Sequence, residues 1–298
     1  MDLETGFISK NQLEPKPGVL YIVGTPIGNL GDFSTRAKNL LSKVSVIACE
    51  DTRHSKKLLN SFNIKTKLLS FHQHNTRARV PIIIELLDKG ESIALITDAG
   101  LPSISDPGEE LIAAARKTMH DVICVPGPCA ATVALAISGL PSQRFCFEGF
   151  LPSKTKERKL ILNLIAQEKR TTVIYESPYR LLKLLKDLSD LCGEERPISI
   201  SRELTKKHEE QIGPTIGDAI NYFLDTKPRG EFTIVLGGAK GIKKVEINVN
   251  ELIEEVKRLI SNGSSTNNAV KEIAQRTGYP RNFLYSLIHE NNNKNISA

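Results

Sequence analysis

The strongest constraint on this chain is a rhythm. From Gly18 onward, short β-rich apolar runs alternate with helix-like stretches. The runs are Val19–Val23, Val44–Ala48, Leu68–Phe71, Ile93–Thr97 and Val122–Val125, and between them lie segments such as Val80–Asp88 and Glu109–Lys117. The runs do not alternate strictly with polar residues, so they suit strands buried on both faces of a parallel sheet. Strand–helix alternation of this kind predicts an α/β fold.

A second set follows Gly149-Phe150-Leu151-Pro152. It comprises a charged helix over Lys154–Gln167, a strand Thr172–Tyr175, a helix Tyr179–Leu191, a strand Ile198–Ser201, a helix Ile216–Leu224 and a strand Phe232–Leu236. The expected organisation is a flexible leader over 1–17, an α/β domain over 18–126, a second over 127–240 and a small helical C-terminal domain over 245–298. In that last unit Val270, Ile273 and Ala274 repeat at helical spacing, then a Gly278-Tyr279-Pro280 turn, then Phe283, Leu284 and Leu287. Helix, glycine-containing turn and helix is a helix-turn-helix cue, although acids and bases balance there.

Composition narrows the class. Forty per cent of the 298 residues are hydrophobic and the net charge is +6, which allows a polyanionic partner without requiring one. The five cysteines form no CxxC pair and mostly lie in or beside apolar segments, so buried reduced thiols are expected. No run approaches the ~18 apolar residues of a membrane span, and Met1-Asp2-Leu3-Glu4 does not open a signal peptide. A cytoplasmic protein with no membrane partner is the expectation.

The candidate chemistry sits where runs end. Val23-Gly24-Thr25-Pro26-Ile27-Gly28 follows a strand, but its spacing is neither a dinucleotide fingerprint nor a P-loop. In Thr97-Asp98-Ala99-Gly100 an aspartate stands at a strand end, where open α/β sheets bind ligands. Asp106, followed by Pro107, is expected to cap the next helix. Val125-Pro126-Gly127-Pro128-Cys129-Ala130 turns a strand into a helix, and Tyr175-Glu176-Ser177-Pro178 and Arg229-Gly230-Glu231 mark two later strand ends. Glu50, Asp51, Arg53, His54 and Lys56 form one polar cluster; His72 and His74 form another. No HExxH or CxxC accompanies them, so polar substrate contacts are favoured over a metal.

Taken together and in this order, these loops resemble the tetrapyrrole methylase (class III) superfamily of S-adenosylmethionine-dependent methyltransferases. The resemblance runs from about Gly18 to Gly238 and includes Ser70–Asn75, Thr97–Gly108, Glu148–Pro152 and Ser201–Thr205. Within the superfamily, Glu50–His54 and the helical tail look like the branch that methylates a cytidine ribose 2′-oxygen in 16S rRNA of the small ribosomal subunit. Cys129 departs from the pattern, standing where a serine is expected.

The resemblance implies two α/β domains with S-adenosylmethionine in the cleft between them, and a homodimer. It implies cofactor contacts at Pro26, Asp98, Cys129, Ala130, Glu176 and Gly230. A ribose hydroxyl is a poor nucleophile, so a proton acceptor is needed. Asp51, His54 and Glu50 are the candidates, with His72 and Glu176 behind them. Arg53, Lys56, His72 and His74 are expected to contact RNA, with Lys57 and Arg36 beside them. Two alternatives stay open: a tetrapyrrole-precursor C-methyltransferase, and a non-catalytic RNA-binding ribosome-assembly factor.

Overall fold

The computed structural model describes residues 14–239, 249–277 and 281–286. Contacts divide the chain after Ala239. The first unit holds two five-stranded sheets.

The first sheet contains β1 (Leu20–Val23), β2 (Val46–Cys49), β3 (Lys67–Ser70), β4 (Ile93–Leu95) and β5 (Val122–Val125), in the order β3-β2-β4-β1-β5. All pairings in it are parallel. Successive side chains point to opposite faces, and both faces are covered. On one face Tyr21, Val23, Ile47 and Cys49 pack against α1 (Thr35–Leu41) and α2 (Thr52–Asn60) through Leu40, Leu41 and Leu59. On the other, Leu20, Ile22, Ala48 and Leu95 meet Ile83 and Leu87 of α3 (Thr76–Asp88) and Leu111 and Ala115 of α4 (Glu109–Lys117). The three inner strands are buried throughout, as the unbroken apolar runs predict. The edge strands β3 and β5 are not. This corrects the expectation of buried thiols: Cys49 on inner β2 is buried, but Cys124 on edge β5 is exposed, and all five cysteines are free.

The second sheet runs β6-β7-β10-β8-β9, from β6 (Phe145–Phe150), β7 (Thr171–Glu176), β8 (Ile198–Arg202), β9 (Glu210–Ile212) and β10 (Phe232–Leu236). Only β6 and β7 are parallel; the other three pairings are antiparallel. One face packs on α6 (Thr155–Gln167), α7 (Pro178–Cys192) and α8 (Ile216–Asp225) through Leu162, Leu184, Leu185 and Phe223. The other takes α5 (Ala130–Ile137), whose Ala131, Ala134 and Leu135 meet Val173, Val235 and Ile27.

Two strands, β6 and β9, lie outside the sequence-based expectation. β6 is interrupted by a register shift between Phe147 and Gly149, and β9 has only three residues. A third difference matters more for chemistry. The polar segment after β2 is helix, not loop: Asp51 caps α2, accepting the Arg53 amide, and Arg53, His54 and Lys56 stand on its first turns.

The second unit contains α9 (Val249–Ser261), α10 (Thr266–Thr277) and helical residues 281–286, around Leu252, Val256, Val270, Ile273 and Leu284. The expected turn at Gly278–Pro280, the chain beyond Ser286, residues 240–248 and most of the expected leader lie outside the described residues.

Candidate functional site

The order of the first sheet creates an opening. The chain leaves β2 toward β3 on one side, through α2 on one face. It leaves the neighbouring strand β4 toward β5 on the other side, through α4 on the opposite face. Connections that diverge from adjacent parallel strands leave a crevice at their carboxyl ends. Glu50 follows β2 there, and Asp98 lies just past β4. The Asp51 amide donates to Asp98 Oδ1 across the crevice at 3.3 Å.

Beyond Asp98 the chain turns back. Thr25 and Gly100 exchange backbone hydrogen bonds of 2.8 and 3.2 Å, and the Thr25 hydroxyl donates to the carbonyl oxygens of Thr97 and Gly100. Ser103 and Ser105 then adopt left-handed φ values of 71° and 65°. This contorted loop carries Asp98, Ile104 and Asp106 onto the wall of a cavity of about 410 Å³. Ile27 lines it from the loop after β1, and Cys129 and Ala130 from the start of α5. The second sheet supplies Phe150, Tyr175, Glu176, Ser177 and the Gly230–Thr233 stretch.

Asp106 corrects a sequence-based expectation. It does not cap α4, whose N-cap is Gly108 with no side-chain hydrogen bond. It lines the cavity instead. Burial, with the negative charge of Glu50 and Asp98 adding to it, pushes its carboxyl up to about 6. Burial also raises Glu50, reinforced by Asp98 and opposed by His72.

Other carboxylates have cationic partners. Asp51 pairs with Arg53 at 2.9 Å, and hydrogen bonds from the Arg53 side chain and backbone hold it well below the ordinary range. Glu176 is fully enclosed between Arg158 (3.2 Å) and Arg180 (3.1 Å), and also accepts the Ser177 amide. Among the described residues no such ion pair reaches Asp98 or Asp106.

Two helix N-termini line the same cavity. Neither α5 nor α7 has a side-chain cap, so their first amides are oriented toward the cavity end of each helix. The Ala131 amide donates to Tyr175 Oη at 3.0 Å. Burial raises the Tyr175 phenol further above its ordinary value, so it stays protonated. Phe147 and Phe150 pack against its ring at 5.0 and 5.5 Å.

Of the expected cofactor residues, Asp98, Cys129, Ala130, Glu176 and Gly230 lie on this cavity, whereas Pro26 is replaced there by its neighbour Ile27. Glu50, Asp51, Arg53, His54, Lys56, His72 and His74 are not on its wall. His72 and His74 sit in the turn before α3 with ring centroids 6.1 Å apart. Arg36 is engaged by Glu14 at 2.7 Å. Asp106, Tyr175 and Phe150 escaped the sequence-based selection. The signal available for Phe150 is the aromatic-rich segment Phe145–Phe150, which forms β6.

The model of the Tetrapyrrole (Corrin/Porphyrin) Methylases matches residues 19–220, most of the chain. The chain belongs to the tetrapyrrole (corrin/porphyrin) methylase family.

Among members of this family, the chain is 44% identical over 270 residues to the ribosomal RNA small subunit methyltransferase I of Synechocystis sp., covering 91% of this chain and 97% of that one. The protein of the same name from Haemophilus influenzae is 42% identical, covering 91% and 96%. The one from Thermotoga maritima is 45% identical and is covered over 99% of its length by only 74% of this chain. Among solved structures, uroporphyrin-III C-methyltransferase from Thermus thermophilus superposes with a TM-score of 0.54 at 20% identity, covering 76% of this chain and 96% of that one. A cobalt precorrin-4 methyltransferase gives 0.53 at 18%, covering 74% and 95%. These structures share the methylase fold. Among the described residues, no group of three or more His, Cys, Asp or Glu could hold a metal ion, and no helix is long and apolar enough to cross a membrane.

Proposed function

We propose that this protein transfers the methyl group of S-adenosylmethionine to a ribose 2′-oxygen in the RNA of the small ribosomal subunit, a cytidine of 16S rRNA. The observation that carries the reading is the polarity of the cavity: two carboxylates without cationic partners, Asp98 and Asp106, share its wall with the uncapped starts of α5 and α7. A half-buried carboxylate without a cation favours a positively charged ligand. A helix N-terminus favours a negatively charged one. Ile27, Leu101, Ile104, Phe150 and Tyr175 add apolar surface between them.

S-adenosylmethionine has all three features: two positive centres, a carboxylate and a flat apolar ring. When bound it supplies a methyl group on a sulfonium that is its own leaving group, so transfer needs no metal. The chain's residues would orient the ligand and the acceptor, and orientation alone lowers such a barrier substantially. Asp98, Cys129, Ala130, Glu176 and Gly230 form the binding wall in this reading, with Pro26 supporting Ile27.

The acceptor side is assigned to the carboxyl ends of β2 and β3. Glu50, which follows β2, is assigned to accept a hydrogen bond from the incoming RNA. Asp51 and His54 hold and extend the start of α2. Arg53 and Lys56 on that helix, with His72 and His74, meet phosphates and sugars. The net charge of +6 favours such a polyanion. The name shared by the relatives of 41–46% identity supports an RNA acceptor over a tetrapyrrole. The protein is assigned to the cytoplasm, acting as a homodimer.

The test is direct. Labelled S-adenosylmethionine is incubated with the protein and unmodified small subunits, and the RNA is digested and analysed by mass spectrometry. A 2′-O-methylcytidine is the expected product. A methylated base, or label transferred only to a tetrapyrrole, overturns the reading.

A further inference from the structure

The carboxylates around the cavity differ in one respect that the reaction would use. Asp98 accepts the Asp51 amide. Asp51 is paired with Arg53, and Glu176 with two arginines. A carboxylate held in its charged form by donors has little drive to take up a proton. Glu50 lacks such a partner but does not line the cavity. Tyr175 lines it but is held as the neutral phenol. Asp106 lines the cavity with no cation and no backbone amide on its carboxylate; the Thr97 hydroxyl favours its charged form, and burial outweighs it.

We propose that Asp106 is the proton acceptor of methyl transfer, and that the positive charge of the methyl donor switches it: ionised while the sulfonium shares the cavity, proton-seeking once that charge is gone. This rests on the functional reading above. A ribose hydroxyl is far too weak an acid to give its proton to a carboxylate beforehand. Its proton becomes acidic only as the oxygen–carbon bond forms. At that moment the methyl carbon–sulfur bond breaks, its electron pair stays on sulfur as a neutral thioether, and the proton passes to the Asp106 carboxylate. One positive charge leaves the sulfur as one proton arrives on Asp106, so the net charge within the cavity is conserved.

The groups facing Asp106 make this switch sensitive. Glu50 comes from the end of β2, Asp98 from its own loop after β4, and Tyr175 from β7. Two are acidic and the third is neutral, so a cation entering the cavity is the positive charge that the carboxylate would otherwise lack. The carboxyl titrates near 6 in the free protein, which places the exchange within reach of measurement. A cation lowers that value; the neutral thioether, which further excludes water, does not.

Calorimetry on the wild-type protein tests this with S-adenosylmethionine and, separately, S-adenosylhomocysteine, which differ by the methyl and the sulfonium charge. Each titration is run at pH 6 in two buffers of different ionisation enthalpy. The methyl donor is expected to release roughly half a proton on binding, and the homocysteine product none, or to take one up in part. Between pH 5 and 7.5 the ratio of the two affinities should move about tenfold toward the donor for each unit by which the Asp106 pKa differs between the complexes. In Asp106→Asn both the exchange and the pH trend should vanish, and the acid limb of the methylation pH profile with them. Equal proton exchange for the two ligands in the wild type overturns the proposal, as does a folded Asp106→Asn that keeps the difference. If neither ligand binds, the functional reading fails instead. Should the variant not fold, the wild-type titrations decide alone.

Discussion

Gly24 and Gly127 meet backbone to backbone at the carboxyl ends of the adjacent strands β1 and β5. A Cβ on Gly24 would stand 2.6 Å from the Gly127 Cα, and one on Gly127 would stand 2.8 Å from the Gly24 Cα. The Gly24 amide donates to the Val125 carbonyl at 3.1 Å, just before that approach. The two loops that carry Ile27 and Cys129 to the cavity are therefore locked together by the lack of side chains at both positions.

Gly127→Ala is expected to force these backbones apart. Overpacking of this kind costs about 1–3 kcal/mol. Urea denaturation should show the loss, and S-adenosylhomocysteine affinity should fall with it because Cys129 and Ala130 follow directly. Unchanged stability and affinity would mean that the approach relaxes freely.

Asp98→Ala should weaken cofactor binding while leaving the protein folded. A charged hydrogen bond accepted by a carboxylate is worth about 1.5–3 kcal/mol, an affinity loss of at least tenfold by calorimetry. Unaltered affinity would leave Asp98 as a purely structural acceptor for the Asp51 amide.

How far could these roles be read in advance? The inner strands β1, β2 and β4 were legible because they are apolar without interruption, and a strand buried on two faces has no other option. The position of Asp98 on the cavity wall was legible from its place past such a strand. Asp106 was not: an aspartate before proline and glycine has the local grammar of a helix cap, and only the left-handed turns at Ser103 and Ser105 swing it into the cavity. Tyr175 was hidden because its part depends on Ala131, far away in sequence. Asp51 misled in the other direction. It has acid–base chemistry, yet its local geometry engages it with the amide and guanidinium of Arg53.

Glu176 and Arg180 should separate burial from charge. The Glu176 side chain is 0% exposed and that of Arg180 32%. Glu176→Ala leaves Arg158 buried without its closest anion, and breaking a buried pair in this way costs about 3–5 kcal/mol. Arg180→Ala, at the rim, should cost about 1 kcal/mol or less. Thermal and urea unfolding of the two variants would show the order, and equal losses would contradict it.

The raised Asp106 carboxyl also sets a stability trend. Its folded value of about 6 lies above the unfolded 3.8, so the folded state binds more protons than the unfolded state between those values. Its contribution is present below the unfolded value and is lost as pH rises through 6. Asp106→Asn should therefore be more stable than the wild type at pH 8, by about 1 kcal/mol once solvent screening in an open cavity is allowed for. The gap should close toward pH 4. A constant difference across that range would show that the carboxyl does not titrate as described.

A chain ending at Ala239 should keep its affinity for S-adenosylhomocysteine and lose methylation of small subunits. The family match ends at residue 220, and the Thermotoga maritima relative is complete with about a quarter of this chain unmatched. Loss of cofactor affinity on truncation would tie the helical unit to the cavity instead.

Gly149, with φ of 60°, and Ser105, with φ of 65°, occupy the two sides of one contact: a Cβ on the glycine would stand 2.8 Å from the serine hydroxyl. The first belongs to β6 of the second sheet and the second to the loop after β4 of the first. Neither position is free to drift alone. In a lineage of such proteins these two sites should change in step, a larger residue at one being tolerated only with a smaller one at the other, and their shared history would trace the seam along which the two sheets have been kept in fit.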